Sequence, residues 1–209
     1  MSTFNDDSFP HPGAPWRSPR MRPPAHVVYA FLLTILCGVP LAAQEYPAGI
    51  VYGPKAAFQV AAPDGWVLSN TAGLAQSLHC VLYLQGSTWV DSPVIMYAKI
   101  ASPTFTRHET FARWAVAEYR KEDTAFQFMR VGTGHTGDGH SYIVNEYRSG
   151  GDSTVERVAY IQLPKAVAYI VLSARNNAAY ASQQGALAGV LESFRYTPRY
   201  IRRSVVRGQ

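Results

Sequence analysis

The chain lacks the features that usually cross-link a small exported fold or hold it in a membrane. Its 209 residues include two cysteines, Cys37 and Cys80, and Cys37 lies in an N-terminal segment that we expect to be removed. The remaining Cys80 cannot form an intramolecular disulfide, so the fold must depend on its hydrophobic core. The apolar run at residues 27–39 is about 13 residues long, whereas a membrane-spanning helix needs roughly 18 or more.

The chain also lacks the short motifs of common hydrolases and nucleotide-binding proteins. It contains neither G-x-S-x-G nor G-x-x-x-x-G-K-[ST], the motifs that supply an activated serine and a phosphate-binding loop. His79 is poorly placed to activate Cys80, because neighbouring side chains on a strand point to opposite faces. We therefore interpret Cys80 as a buried small hydrophobic residue, and we expect no enzymatic activity and no cofactor.

Residues 26–43 have the composition of a secretory signal peptide. Basic residues precede an uncharged apolar core, and the small residues Ala42 and Ala43 follow it. We predict cleavage near Ala43 and a secreted or periplasmic protein; the alternative is a membrane anchor formed by an uncleaved N-terminal segment. Lipid attachment to Cys37 is disfavoured, because Leu36 stands where a bacterial lipobox requires a small residue.

The segments on either side of the expected domain differ from it in composition. Residues 1–25 are rich in proline, which predicts disorder, and Met21 is an alternative start that would give a signal peptide of ordinary length. Residues 44–197 are long enough for a single domain with its own core. Residues 198–209 are predicted to form a flexible basic tail.

The formal net charge of +5 belongs to the C-terminal tail. Residues 44–194 contain 11 Lys and Arg against 12 Asp and Glu, whereas residues 195–209 contain five arginines and no acidic residue. No nucleic-acid partner is therefore expected for the domain. The tail is expected to be a solvated terminus, and the alternative is a weak attraction to an anionic membrane surface. The arginines expected to make that contact are Arg199, Arg202, Arg203 and Arg207.

Short apolar segments separated by turn residues predict a strand-rich domain. Pro63, Asp64 and Gly65 supply one turn, and Gly150 with Gly151 between two apolar segments indicates a β-hairpin. The predicted strands are residues 56–62, 77–85, 92–100, 125–131, 140–148, 154–163 and 166–174. Because neighbouring strands are joined by short turns, we expect them to pair antiparallel.

Two segments have the three- and four-residue spacing of amphipathic helices. Thr106 and Glu109 match a capping box and predict a helix over residues 107–122. A second helix is predicted over residues 178–194, with Tyr180, Leu187, Leu191 and Phe194 on one face. The sequence therefore predicts an α+β fold: a central antiparallel sheet of about six to seven strands with two principal helices packed on it.

Four phrases of the chain resemble a known family of domains. These are FQVAAPDGW, SPVIMYAKI, EYRSGGDSTVERVAYI and ALAGVLESF, and the resemblance covers about residues 56–196. They are similar to the Mog1/PsbP-like group of α/β/α sandwich domains, which includes small bacterial periplasmic proteins and lipoproteins. The resemblance implies a central antiparallel sheet and mostly non-enzymatic roles as an accessory or ligand-binding domain. It brings no catalytic residues to carry over.

The glycine-rich segment GTGHTGDGH contains the strongest candidate for chemistry. His135, Asp138 and His140 lie within six residues of one another, and imidazole and carboxylate groups are suitable zinc ligands. Three such ligands would leave a position for water, so a metal-dependent hydrolase is the alternative function. The competing interpretation is a solvated loop whose polar residues have no ligand.

Exposed aromatic residues and paired carboxylates are the other candidates. Trp89 lies in a polar loop and is predicted either to anchor a partner or to pack within the loop. Glu146 and Glu156 are candidates for facing carboxylates, although the nearby Arg148 and Arg157 favour cross-strand ion pairs on a solvated face. Tyrosines within the predicted strands are expected to be half-buried with solvated hydroxyls. They are Tyr97, Tyr142, Tyr147, Tyr160 and Tyr169.

These observations predict an exported, non-catalytic α/β accessory or binding domain. The expected partner is an envelope protein or a small ligand, and the sequence contains no signature that identifies it.

Overall fold

The computed structural model describes residues 48–53, 55–150 and 153–198. The proline-rich segment 1–25, the predicted signal peptide 26–43 and the tail arginines from residue 199 onward lie outside these residues, so export and the role of the tail stay predictions. No helix in the described part of the chain is long and apolar enough to cross a membrane.

The described residues form ten strands and three α-helices. In chain order they are β1 (Gly49–Tyr52), β2 (Ala57–Val60), β3 (Trp66–Ser69), β4 (Val81–Leu84), β5 (Val94–Ile100), α1 (His108–Glu122), β6 (Gln127–His135), β7 (Ser141–Arg148), β8 (Val155–Gln162), β9 (Val167–Ala174), α2 (Asn177–Gln183), α3 (Ala186–Ser193) and β10 (Arg195–Thr197). A short 3-10 helix, Leu74–Gln76, follows β3.

Seven strands form a single antiparallel sheet in the order β3-β4-β5-β9-β8-β7-β6, and β1, β2 and β10 form a smaller one. The predicted central antiparallel sheet is confirmed. The hairpin indicated by the paired glycines is also confirmed, since β7 and β8 pair antiparallel from Arg148↔Val155 to Tyr142↔Ile161. Residues 151 and 152 at its turn lie outside the described residues.

The sheet is covered on both faces, which explains why its central strands are buried along their length. Helix α1 packs on one face over an aromatic cluster that includes Phe111, Tyr119 and Tyr160. Helices α2 and α3 and the small sheet cover the other face, where Phe58 stacks on Phe194 with ring centroids 4.7 Å apart. Burying apolar surface on both faces is the main stabilising contribution. The predicted α+β class, with helices packed on a sheet, is correct.

Helix α1 begins at His108, and the predicted capping box is wrong. Arg107 precedes the first helical residue, and its side chain makes no capping hydrogen bond. The backbone N–H of His108 instead donates to Oε1 of Gln162 on β8, at 3.0 Å. Glu109 forms an ion pair with Arg130 rather than reaching back to Thr106. A tertiary contact therefore replaces the local cap that the sequence suggested.

The predicted second helix is interrupted. Helix α2 ends at Gln183 and α3 begins at Ala186, with Gly185, a poor helix former, between them. Helix α2 packs against β9 and β5, whereas α3 packs against β2. The interruption lets the two short helices follow different surfaces.

The loop predicted over the glycine-rich segment is shorter in the structure, because β6 continues through His135. Gly134 lies opposite Tyr142, and a Cβ atom at residue 134 would lie 2.6 Å from the Tyr142 hydroxyl oxygen. The glycine therefore allows the Tyr142 ring to lie across the strand. The pairing of β6 with β7 is irregular between Arg130 and Gly132, where β6 contains a β-bulge.

Candidate functional site

The three predicted metal ligands lie at the turn that joins β6 to β7. Asp138 accepts hydrogen bonds from Thr136 Oγ1, at 2.6 Å, and from the backbone N–H of Tyr196. Burial raises the pKa of Asp138, but these hydrogen bonds outweigh it and hold the pKa below its usual value. The ring of His140 packs against the ring of Tyr196, with centroids 5.2 Å apart. Through its hydrogen bond with Tyr196, Asp138 therefore connects the turn with β10.

The described residues contain no group of three His, Cys, Asp or Glu side chains that could hold a metal ion. His135, Asp138 and His140 are all among the residues searched. The structure therefore does not bring them together as the three-ligand site that the hydrolase hypothesis requires.

Trp89 is packed within its loop. Its side chain is 3% exposed and belongs to the aromatic cluster beneath α1, and Nε1 donates to Oε1 of Gln76 at 3.4 Å. The interpretation of Trp89 as an exposed partner anchor is therefore wrong, because the indole is not accessible. Cys80 is buried as predicted, and burial raises the pKa of its thiol to about 12, which disfavours the reactive thiolate.

The carboxylates of Glu146 and Glu156 lie on opposite faces of the sheet. Glu146 is directly opposite Arg157, and Glu156 is directly opposite Tyr147, so the two glutamates cannot act as a pair. The predicted ion pairs of Glu146 with Arg148 and Arg157 are present at 2.7 and 3.3 Å. They are not on a solvated face, because Glu146 is 6% exposed and lies beneath Tyr180 of α2.

Most of the strand tyrosines are buried with their hydroxyls, contrary to the expectation of solvated hydroxyl groups. Tyr147 and Tyr160 are each 2% exposed, and their hydroxyl oxygens are 2.7 Å apart in a hydrogen bond. Tyr97 and Tyr169 are also buried, whereas Tyr142 is partly exposed. Burial raises the pKa of Tyr147 to about 12 and raises those of Tyr160 and Tyr169 as well.

A solvent-accessible cleft of about 260 Å³ lies between α1 and the β6–β7 end of the sheet. Its α1 wall is built from small apolar side chains, Ala112, Val116 and Ala117. Residues three and four apart lie on one side of a helix, so this stripe faces β6. The larger side chains Phe111 and Tyr119 of the same helix pack in the aromatic cluster instead.

Three arginines surround the cleft. Arg113 and Arg120 come from α1 two turns apart, and Arg130 comes from β6. The guanidinium carbon of Arg120 lies 5.3 Å from the centroid of the Phe128 ring, which also lines the cleft. The three cations therefore sit around a surface that is partly apolar.

Arg130 is held in place from two sides. Its two terminal nitrogens donate to the carboxylate oxygens of Glu109 at 3.1 and 3.0 Å, and its Nε donates to Oδ1 of Asn145 at 3.0 Å. The hydrogen bonds from Arg130 hold the pKa of Glu109 below its usual value. Asn145 is buried, and its Nδ2 donates to the hydroxyl of Tyr147 at 2.9 Å. A hydrogen-bonded chain thus connects the cleft with the buried tyrosines.

The arginines give the lining of the cleft the chemistry of an anion-binding site. Guanidinium groups recognise carboxylate and phosphate oxygens through paired hydrogen bonds. The lining residues include no serine, cysteine, histidine, aspartate or glutamate, so the cleft itself provides neither a nucleophile nor a general base. Sequence analysis missed this site. The sequence feature that could have indicated it is the pair Arg113 and Arg120, seven residues apart on a predicted helix with small side chains between them.

No family model and no curated protein sequence matches the chain. Solved structures with a similar fold include the PsbP protein CyanoP of the cyanobacterium Synechocystis, with 16% sequence identity and a TM-score of 0.43 over 67% of this chain and 86% of that one. LpqN of Mycobacterium tuberculosis, which is involved in cell envelope biogenesis, has 16% identity and a TM-score of 0.46 over 72% of this chain and 91% of that one. A PsbP structure is thus among the matches, as the resemblance to the Mog1/PsbP-like group predicted, and the likeness concerns the fold alone.

Proposed function

We propose that this chain is an exported, non-catalytic binding domain whose cleft between α1 and β6 holds an anionic group of a small ligand or partner protein. The observation that carries the proposal is the set of three arginines around the partly apolar cleft of about 260 Å³. Export is proposed from the signal-like composition of residues 26–43.

The charges around the cleft favour an anion. Glu109 offsets the charge of Arg130, while the remaining two cations, Arg113 and Arg120, lie on the wall formed by α1. Because Glu109 already occupies both terminal nitrogens of Arg130, an incoming anion is expected to engage Arg113 and Arg120 first. Arg130, held by Glu109, then forms the β6 side of the cleft.

The size of the cleft limits what it can hold. Drug-sized ligands occupy pockets of roughly 300 to 1,000 Å³, and this cleft is slightly smaller. A single carboxylate or phosphate group with a short apolar portion fits such a volume. The apolar portion would lie against Val116 and Phe128, and the acidic group would lie between the arginines.

Titration with small aromatic probes tests this proposal. Phenyl phosphate should perturb the amide NMR signals of Ala112, Val116 and Phe128, whereas neutral benzyl alcohol at the same concentration should not. Arg120→Ala removes a cation from the cleft and should lower the affinity for phenyl phosphate about fivefold. Lys165→Ala, which removes an equal charge from the exposed β8–β9 turn, is the matched control and should leave the affinity unchanged. Equal binding of the charged and neutral probes would contradict the proposal.

We also propose, from the charge partition of the sequence, that the C-terminal arginines add a non-specific attraction to anionic envelope surfaces. Each basic residue near such a surface contributes about 1 kcal/mol. Deleting residues 198–209 should reduce sedimentation of the protein with phosphatidylglycerol vesicles and leave phenyl phosphate binding unchanged. Unchanged sedimentation would remove the tail from the proposal.

A further inference from the structure

The strand β6 is a long edge of the central sheet. In the described part of the chain the seven-stranded sheet ends in β3 on one side and β6 on the other. Strand β3 has four residues, whereas β6 has nine, and an average strand has about five to six. Edge strands carry a row of backbone N–H and C=O groups that a further strand can pair with, and natural proteins usually shorten or cover them.

The side chains of β6 are unusually accessible and apolar for such an edge. Phe128, Met129 and Val131 are 41%, 60% and 37% exposed. By contrast, the opposite edge strand β3 buries both Trp66 and Leu68. The bulge between Arg130 and Gly132 twists β6 locally, which leaves two regular stretches, residues 127–130 and 132–135, for pairing.

The arginine-lined cleft lies directly beside this edge. Phe128 belongs to both features, since it lies on β6, lines the cleft and has the guanidinium of Arg120 at 5.3 Å from its ring centroid. A strand added to β6 would lie about 4.8 Å from it, with every second side chain on the α1 face of the sheet. Those side chains would come next to Phe128 and Arg120.

We propose that β6 is a docking edge for an extended, acidic segment of a partner protein, which adds a strand to the sheet and places an acidic side chain in the cleft. This inference rests on the proposed function, because the cleft supplies the charge selectivity. Main-chain hydrogen bonds would provide affinity and alternate side chains would provide specificity, as in other complexes formed by strand addition.

The charges favour a different protein over a second copy of this chain. Two copies paired through β6 would bring two sets of Arg113, Arg120 and Arg130 to one interface, where like charges are destabilising. An acidic segment gains from the same charges. The partner is therefore assigned by charge complementarity together with the open strand edge.

The experiment uses the purified protein and an octapeptide in which glutamate and valine alternate. The same peptide with lysine in place of glutamate is the control. Fluorescence anisotropy measures peptide binding, and amide hydrogen exchange measured by NMR reports whether a strand has been added. If it has, alternate amides of β6 should exchange at least about tenfold more slowly with the acidic peptide. Arg120→Ala should weaken peptide binding about fivefold, and Lys165→Ala should not.

Three results would overturn the inference: no binding of the acidic peptide at millimolar concentration, equal binding of the lysine peptide, or binding without slower exchange along β6. If phenyl phosphate still binds in the cleft while any of these occurs, the strand-addition inference fails and the proposed function stands. If phenyl phosphate also fails to bind, the proposed function fails with it.

Discussion

Replacing Glu146 by glutamine tests how α2 is held on the sheet. The carboxylate of Glu146 accepts hydrogen bonds from Arg148 at 3.0 and 2.7 Å, from Arg157 at two distances of 3.3 Å, and from the hydroxyl of Tyr180. The ring of Tyr180 lies 5.9 Å from the guanidinium of Arg148 and 5.2 Å from that of Arg157. One buried charge thus organises a cluster that joins β7, β8 and α2.

The expected cost of Glu146→Gln follows from the exposure of its partners. Breaking a buried ion pair by removing one charge costs about 3 to 5 kcal/mol. The side chains of Arg148 and Arg157 are 42% and 25% exposed, so water can solvate part of both guanidinium groups after the change. We therefore expect the lower end of that range, a loss of about 3 kcal/mol in the free energy of unfolding.

The pH dependence gives a second signature. Burial raises the pKa of Glu146, but the hydrogen bonds from Tyr180, Arg148 and Arg157 outweigh it, so the folded-state pKa lies below the usual value. A lowered pKa means that the folded state prefers the ionised form, so this stabilisation is present above the unfolded pKa of about 4.3 and is lost as the pH falls through the folded pKa. The difference in the free energy of unfolding between wild type and Glu146→Gln should therefore become smaller below about pH 4.

Urea unfolding measured by circular dichroism provides the assay. The midpoint should fall for Glu146→Gln at neutral pH with an unchanged m-value, as expected when stability changes and the surface exposed on unfolding does not. Glu192→Gln, on the exposed surface of α3, is the control and should change stability by less than about 0.5 kcal/mol. A loss for Glu146→Gln no larger than that of the control, or one that does not vary with pH, would refute the reasoning.

Three further predictions follow from burial and pairing. Trp89→Ala should lower the free energy of unfolding by about 3 to 5 kcal/mol because the indole is buried, and an unchanged urea midpoint would contradict this. A thiol reagent should label Cys80 in urea but not in the folded protein; rapid labelling without urea would show that the thiol is accessible. Glu109→Gln should release Arg130 and strengthen phenyl phosphate binding two- to fivefold in NMR titration. The same substitution should lower the free energy of unfolding by at most about 1 kcal/mol, because this ion pair is exposed. Weaker binding of phenyl phosphate would contradict the prediction.

The elements that were predicted correctly are those whose sequence patterns lie within a few neighbouring residues of the chain. The paired glycines at 150 and 151 lie between two apolar segments, and the structure pairs those segments as β7 and β8. The capping box failed for the opposite reason: Gln162 is 54 residues from His108 in the chain and still provides the contact at the helix start. A local pattern cannot anticipate a partner that the fold brings from another strand.

The spacing of Arg113 and Arg120 indicates only one wall of the candidate cleft, because the rest of its lining comes from β6 and β7. Glu109 and Arg130 are 21 residues apart, and their pairing depends on α1 lying beside β6. Trp89 stands in a polar sequence context, and its burial depends on the aromatic cluster beneath α1. In both cases the residue types were informative, but their accessibility was set by the packing of the helix on the sheet.

The hydrogen-bonded chain behind Arg130 explains why the polar groups at this end of the sheet remain compatible with a stable core. Asn145 is 2% exposed, accepts from Arg130 and donates to Tyr147, whose hydroxyl pairs with that of Tyr160. Buried polar groups are costly when unpaired, and fully satisfied networks give rigidity instead. The network therefore holds the side chain of Arg130, which lines the cleft. An anion that binds as proposed would therefore meet a surface that the core has already ordered, which would reduce the entropy lost on binding.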